Sequence, residues 1–148
     1  MSSWIEAPVP PYRVGLLGWL RVLWRGGLVG SLTYGGLVVL LLVRLFEGPV
    51  FGPARPVTPW ITQFVCRGSL WLIGLRLVVR GQPMTAEGAI VANHASWLDI
   101  FALNAADRVY FVAKSEVAGW PGIGWLARAT GTVFIARKGT EAKTQQAL

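Results

Sequence analysis

Residues 89–103 read AIVANHASWLDIFAL. Ala89–Ala92 is short and wholly apolar, as expected of a parallel strand buried on both faces. Trp97–Ala105 has helical character, and Ser96 before it is a good N-cap, with Trp97 at the first helical position and Asp99 at the third. The single histidine, His94, falls in the turn between strand and helix. On one continuous helix, five residues turn through about 500°, which would leave His94 and Asp99 about 140° apart. The two therefore meet only if His94 precedes the helix. From there Asp99 accepts a hydrogen bond from one ring nitrogen, and the other nitrogen faces the end of the strand.

That arrangement has a chemical use. An ordinary histidine titrates near about pH 6.5, so much of it is neutral at cytoplasmic pH. A carboxylate behind the ring fixes its tautomer and stabilises the imidazolium once a proton is taken. Such a pair suits removal of a proton from a substrate hydroxyl. On these residues alone, Ser96 and Asp99 also make a plain capping pair, with His94 a satisfied hydrogen-bonder. The exit of a strand into a helix is, however, a favoured ligand position in α/β sheets.

Working outward, Leu75–Arg80 (LRLVVR) alternates as a strand does, and Gly81–Gly88 reads as a loop. Val109–Ala113 (VYFVA) and Thr132–Ala136 (TVFIA) are further apolar strands, with a short helix over Trp120–Ala129 opening at Pro121. Thr140–Leu148 reads as the start of a polar helix. Strands alternating with helices predict an α/β layer domain over residues 75–148.

Residues 1–74 differ in character. Gly26–Val43 is a run of 18 uncharged residues between Arg25 and Arg44. At 1.5 Å per residue it spans about 27 Å, close to the roughly 30 Å bilayer core. The run is longer than a signal-peptide core, begins late, and is followed by no clean small-residue cleavage site, which predicts a retained membrane helix. EGPVFGPARPVTP then reads as a loop, and a second apolar helix is expected over about 60–75. Arg67 inside it is costly at mid-bilayer but acceptable at a headgroup layer, which predicts an interfacial or half-inserted helix. The two helices either form a hairpin in one leaflet or let the first one span. Arginines on both sides of the first run leave its orientation open.

Composition agrees. The 148 residues are 53% hydrophobic and only 14% charged, against roughly 25% charged in soluble domains. A free-standing soluble protein is disfavoured, and intrinsic disorder is excluded. One cysteine, Cys66, and one histidine rule out a disulfide framework and a cysteine-cluster zinc site, so no metal is expected. The net charge of +7 and eight tryptophans suit an anionic membrane surface or anionic lipids. Basic residues are scattered singly, and only Arg137-Lys138 adjoin, so no nucleic-acid partner is expected.

At NHASWLD the chain resembles the glycerolipid acyltransferases, the membrane-bound 1-acylglycerol-3-phosphate O-acyltransferases, whose first box is N-H-x-x-x-x-D. The stretch FVAKSEVAGWPGIGWLARATGTVFIAR resembles the family too, with Lys114, Glu116 and the Pro-Gly-Ile-Gly-Trp run in order. Gly131–Arg137 is similar to the second box, whose arginine holds a phosphate; Ala136 stands where an acidic or amide residue is usual. The resemblance covers roughly Leu75 to Arg137.

The resemblance implies transfer of a fatty acyl group from acyl-CoA or acyl carrier protein to a lysophospholipid hydroxyl, with no cofactor and no covalent acyl-enzyme. The default acceptor is 1-acylglycerol-3-phosphate, giving phosphatidate. His94 is then the general base, Asp99 its orienter, Arg137 the phosphate ligand, Lys114 a headgroup contact, and Asn93 a residue orienting the turn. The implied partners are membrane lipid, lysophospholipid and acyl donor, and the implied location is a bacterial inner membrane with the catalytic part on the cytoplasmic side. The family's third box, a Phe-Pro-Glu-Gly-Thr-Arg-like segment, does not occur before Leu148. The domain is accordingly expected to be incomplete, the N-terminal part of a longer enzyme. The alternative is an inactive membrane-bound piece that binds anionic lipid or a partner. A serine esterase is disfavoured, since Ser96 and Ser115 lack a G-x-S-x-G setting.

Overall fold

The computed structural model describes residues 14–82, 85–86 and 88–136. The uncharged run sits inside a longer helix, α1 (Leu16–Phe51, 36 residues, about 54 Å). It is the described helix long and apolar enough to cross a membrane. Arg21, Arg25, Arg44 and Glu47 interrupt its apolarity without ending it. The loop expected from Glu47 onward starts later, because Pro49 lies inside the helix. Proline has no N–H to donate there and its ring crowds the carbonyl four residues earlier, yet the helix runs on to Phe51, and its last turn is closed by Gly52 N–H donating to Gly48 O at 2.8 Å.

A short turn leads to α2 (Thr58–Ile73), which folds back on α1. The helical hairpin is the packing found; the helices are joined at both ends by polar contacts. Glu47, buried in α1, accepts from Val57 N–H (2.7 Å), Thr58 N–H (3.2 Å) and Thr58 Oγ1 (2.9 Å). It thereby supplies the cap that Val57, the N-cap residue, lacks. Arg44 holds the turn, donating to Gly52 O and Ala54 O at 2.6 and 2.9 Å. At the other end, Gly74 takes a left-handed conformation (φ 86°). Gly74 N–H donates to Trp71 O and Leu75 N–H to Leu70 O, which closes α2 in a Schellman turn. Arg25 Nη1 donates to Ile73 O there at 2.9 Å. Between these ends, small residues let the helices approach: a Cβ at Gly36 would collide with Val65, and one at Gly68 would lie 2.8 Å from Leu32.

The third helix, α3 (Leu98–Ala106), lies on α2. Cys66, Leu70 and Ala105 form the buried apolar cluster, with Phe101 against it. The strands β1 (Val112–Lys114) and β2 (Val133–Ile135) pair in parallel, Val112 opposite Val133. Between them run a 3₁₀ turn (Ser115–Gly119) and α4 (Ile123–Ala129). The helix expected to open at Pro121 starts at Ile123, since Gly122 has φ 73°.

Two expected strands are absent among the described residues. Leu75–Arg80 and Ala89–Ala92 take no regular secondary structure and pair with no described strand, and Val91 is 96% exposed. A strand exists only with a partner, and among the described residues just two short strands pair, so the α/β layer expected over 75–148 is seen there only in that pair. The helix expected at Thr140–Leu148 lies outside the described residues.

Four arginines share one habit. Arg25 binds the last carbonyl of α2, Arg67 Nε binds Ala105 O in the last turn of α3 (2.8 Å), Arg55 Nη1 binds Ala129 O at the end of α4 (2.6 Å), and Arg44 binds the carbonyls just past α1. Helix C-termini present carbonyls without intrahelical partners and a negative dipole end, so cations settle there.

Candidate active site

The turn that opens α3 is organised by one carboxylate oxygen. Asp99 Oδ2 accepts from Ala95 N–H and Ser96 N–H, both at 2.8 Å, and lies 3.1 Å from His94 Nδ1. Ser96 Oγ accepts in return from Leu98 N–H at 3.2 Å. These bonds form a reciprocal cap over the helix start. His94 thus precedes the helix, as the angular argument requires, and its ring comes back onto Asp99, the second residue of α3, since the helix starts at Leu98 and not at the expected Trp97.

The electrostatics follow from the donors. Asp99 is held below the ordinary carboxylate range first by the N–H of Ser96, then by that of Ala95; slight desolvation works the other way, and His94 adds further hydrogen-bonding and charge stabilisation. An ionised carboxylate only accepts, so the proton between the residues belongs to His94 Nδ1, which in the neutral ring leaves the lone pair on Nε2. Nε2 has no hydrogen-bond partner among the described residues, and the side chain is 63% exposed. The pair is therefore an imidazole braced by a carboxylate on one side and open to solvent on the other.

The other predicted residues stand apart from this pair. Asn93 is exposed and makes no side-chain hydrogen bond among the described residues. Lys114 ends β1 and pairs with Glu116 Oε1 at 2.7 Å, a contact that is the first cause of Glu116 lying below its usual range. Arg137 lies outside the described residues. Trp97 packs edge-to-face on Phe101, with centroids 5.7 Å apart, and Cys66 is buried in the apolar cluster. Among the described residues no group of His, Cys, Asp and Glu has the arrangement of a metal site.

Sequence reasoning missed the two backbone donors on Asp99 and the arginine ties. The spacing S-x-x-D carried a signal for the first. For the second there was none, because the acceptors are main-chain carbonyls.

The profile of the Acyltransferase family matches residues 76–148. The chain is 56% identical over 146 residues to the lyso-ornithine lipid O-acyltransferase of Rhodobacter capsulatus, a match covering 98% of this chain and 53% of that protein. It is 33% identical over 124 residues to the enzyme of the same name from Rhizobium meliloti, covering 83% of this chain and 40% of that one. Over 73 residues it is 44% identical to the 1-acyl-sn-glycerol-3-phosphate acyltransferase of Neisseria gonorrhoeae, covering 48% of this chain and 29% of that protein. The chain thus spans about half the length, or less, of these curated relatives. No solved structure matches it significantly.

Proposed function

We propose that this chain, which belongs to the Acyltransferase family through residues 76–148, serves the transfer of a fatty acyl group from a thioester to the free hydroxyl of a lyso-lipid. The observation that carries the reading is the 3.1 Å contact of His94 Nδ1 with Asp99 Oδ2, which leaves Nε2 open. Nε2 takes the hydroxyl proton as the oxygen attacks the thioester carbonyl. The tetrahedral intermediate collapses with cleavage of the C–S bond, and the imidazolium returns the proton to the departing thiolate. The products are an ester and a free thiol, and His94 is neutral again. Asp99 stabilises the imidazolium in between. A positioned base of this kind is worth about 10² to 10⁴ in rate.

Arg137 is proposed to grip the acceptor's anionic group, since a guanidinium pairs bidentately with phosphate and carboxylate alike. Lys114 and Asn93 are proposed as a headgroup contact and as a support for the turn. The donor is acyl-CoA or acyl carrier protein, and the catalytic half faces the cytoplasm from a bacterial inner membrane.

For the acceptor we favour lyso-ornithine lipid. Likeness to the two enzymes of that name runs through the N-terminal hairpin, whereas likeness to the glycerophosphate enzyme covers 48% of this chain. Lysophosphatidate is the second reading, favoured by that shorter match. Membranes containing the protein should move a radiolabelled acyl group from a thioester to lyso-ornithine lipid in preference to lysophosphatidate, and His94→Ala should abolish the transfer. Equal label with and without His94 would refute the mechanism, and a preference for lysophosphatidate would replace the acceptor.

A further inference from the structure

Arg67 is the one charged residue in α2, in the sequence TPWITQFVCRGSLWLI. It forms no ion pair with a described acidic residue. Its Nε donates instead to Ala105 O at 2.8 Å, with Gln63 Nε2 one turn earlier directed at the same oxygen at 3.5 Å. Ala105 lies in the last turn of α3, the helix whose first turn carries Asp99 and braces His94. Cys66 and Leu70 of α2 pack on Ala105 and Phe101 beside this tie. To this apolar packing the hydrogen bond adds a directional constraint aimed at one carbonyl.

Arg67 also stands in a distinctive row. Trp60, Phe64 and Trp71 fall on its side of α2 at helical spacing and are 56%, 71% and 78% exposed. Exposed tryptophans around a cation fit the level of a bilayer's headgroups, where a long basic side chain keeps its stem in apolar surroundings. The residue that ties α3 thus sits on the face through which α2 would meet lipid.

We propose that Arg67 is a positioning residue for the acyl transfer: by tying the end of α3 to the membrane hairpin, it sets the height at which His94 meets a hydroxyl at the bilayer surface. The proposal rests on the reading of His94 given above. It makes a distinction that a merely structural role would not. The His94–Asp99 pair is built locally, within residues 94–99, so its chemistry survives loss of Arg67. What suffers is the reach to an acceptor held in the bilayer.

The test compares two acceptors for the wild type, Arg67→Ala and Arg67→Lys in the full-length enzyme. One is a long-chain lyso-lipid in phospholipid vesicles; the other is a short-chain analogue dispersed as monomers. Arg67→Ala should lose about tenfold on the vesicle acceptor, the scale of one charge-assisted hydrogen bond, and keep its rate on the monomeric one. Arg67→Lys, which can still donate to the carbonyl, should recover most of the loss. The pH profile on the monomeric acceptor should be unchanged in both variants. Equal losses on both acceptors, or none on either, would overturn the role of Arg67 alone. A wild-type enzyme that acylates neither acceptor would instead bring down the reading of His94, and the positioning role with it.

Discussion

The hydroxyl of Tyr34, near the middle of the uncharged run of α1, occupies the space that a Cβ at Gly122 would need. This contact joins the N-terminal hairpin to the Pro-Gly-Ile-Gly-Trp run of the family domain. Gly122 also has φ 73°, where an L side chain is strained. Gly122→Ala should cost about 1–2 kcal/mol from the backbone alone, with the collision added. Thermal unfolding in detergent would read this as a lowered midpoint. Adding Tyr34→Ala should restore the collision part and not the backbone part; a double variant no better than Gly122→Ala would show that the two residues are not coupled.

Glu47 takes three hydrogen bonds from residues 57 and 58 and is only 4% exposed. Replacing it with alanine strands buried donors at the head of α2, at a cost of about 1–3 kcal/mol. Glu47→Gln keeps one acceptor oxygen and should lose less. Denaturant midpoints in detergent should fall in the order wild type, Glu47→Gln, Glu47→Ala.

The donors on Asp99 set the sign of its pH effect. Its folded-state pKa is depressed, so the stabilisation of the first turn of α3 is complete above the ordinary carboxylate value and disappears as pH falls through the lower folded value. Asp99 therefore stays ionised below the ordinary carboxylate value, so an acid limb of the rate profile above that value does not come from Asp99. Asp99→Asn should lower transfer by about a hundredfold or more and leave that limb in place. Radiolabel assays across pH would check both; loss of the limb in Asp99→Asn would assign it to the carboxylate instead.

The closest approach of the hairpin helices depends on Gly36 and Gly68. Gly36→Leu forces Val65 aside and should cost about 1–3 kcal/mol, the usual range for overpacking. A disulfide between cysteines introduced across the α1–α2 seam should form more slowly in that variant than in the parent.

The helices were legible because each declares itself locally. Gly26–Val43 is apolar and lies in α1, and Trp97–Ala105 follows a capping serine and lies in α3 from Leu98 onward. Their ends were less legible: Pro49 looks like a stop, yet α1 continues past it to Phe51. The strands divide for a different reason. Val109–Ala113 and Thr132–Ala136 hold the paired segments Val112–Lys114 (in part) and Val133–Ile135, which find each other across α4. Leu75–Arg80 and Ala89–Ala92 carry equally good patterns and pair with nothing described, because alternation states a preference and pairing needs a second chain segment. The geometry of the His94–Asp99 turn was legible from a five-residue spacing and one capping rule. Where Arg25, Arg44, Arg55 and Arg67 point was not, since a carbonyl leaves no mark in a sequence.

That last feature makes the joints of this molecule one-sided. Ile73, Ala105 and Ala129 each offer an oxygen that every amino acid possesses. Replacing any of them leaves the acceptor in place so long as the helix still ends there, whereas replacing the arginine removes the bond at a stroke. Mutational tolerance should therefore be lopsided across each seam, with vulnerability gathered on the arginines and latitude on the helix ends they grip.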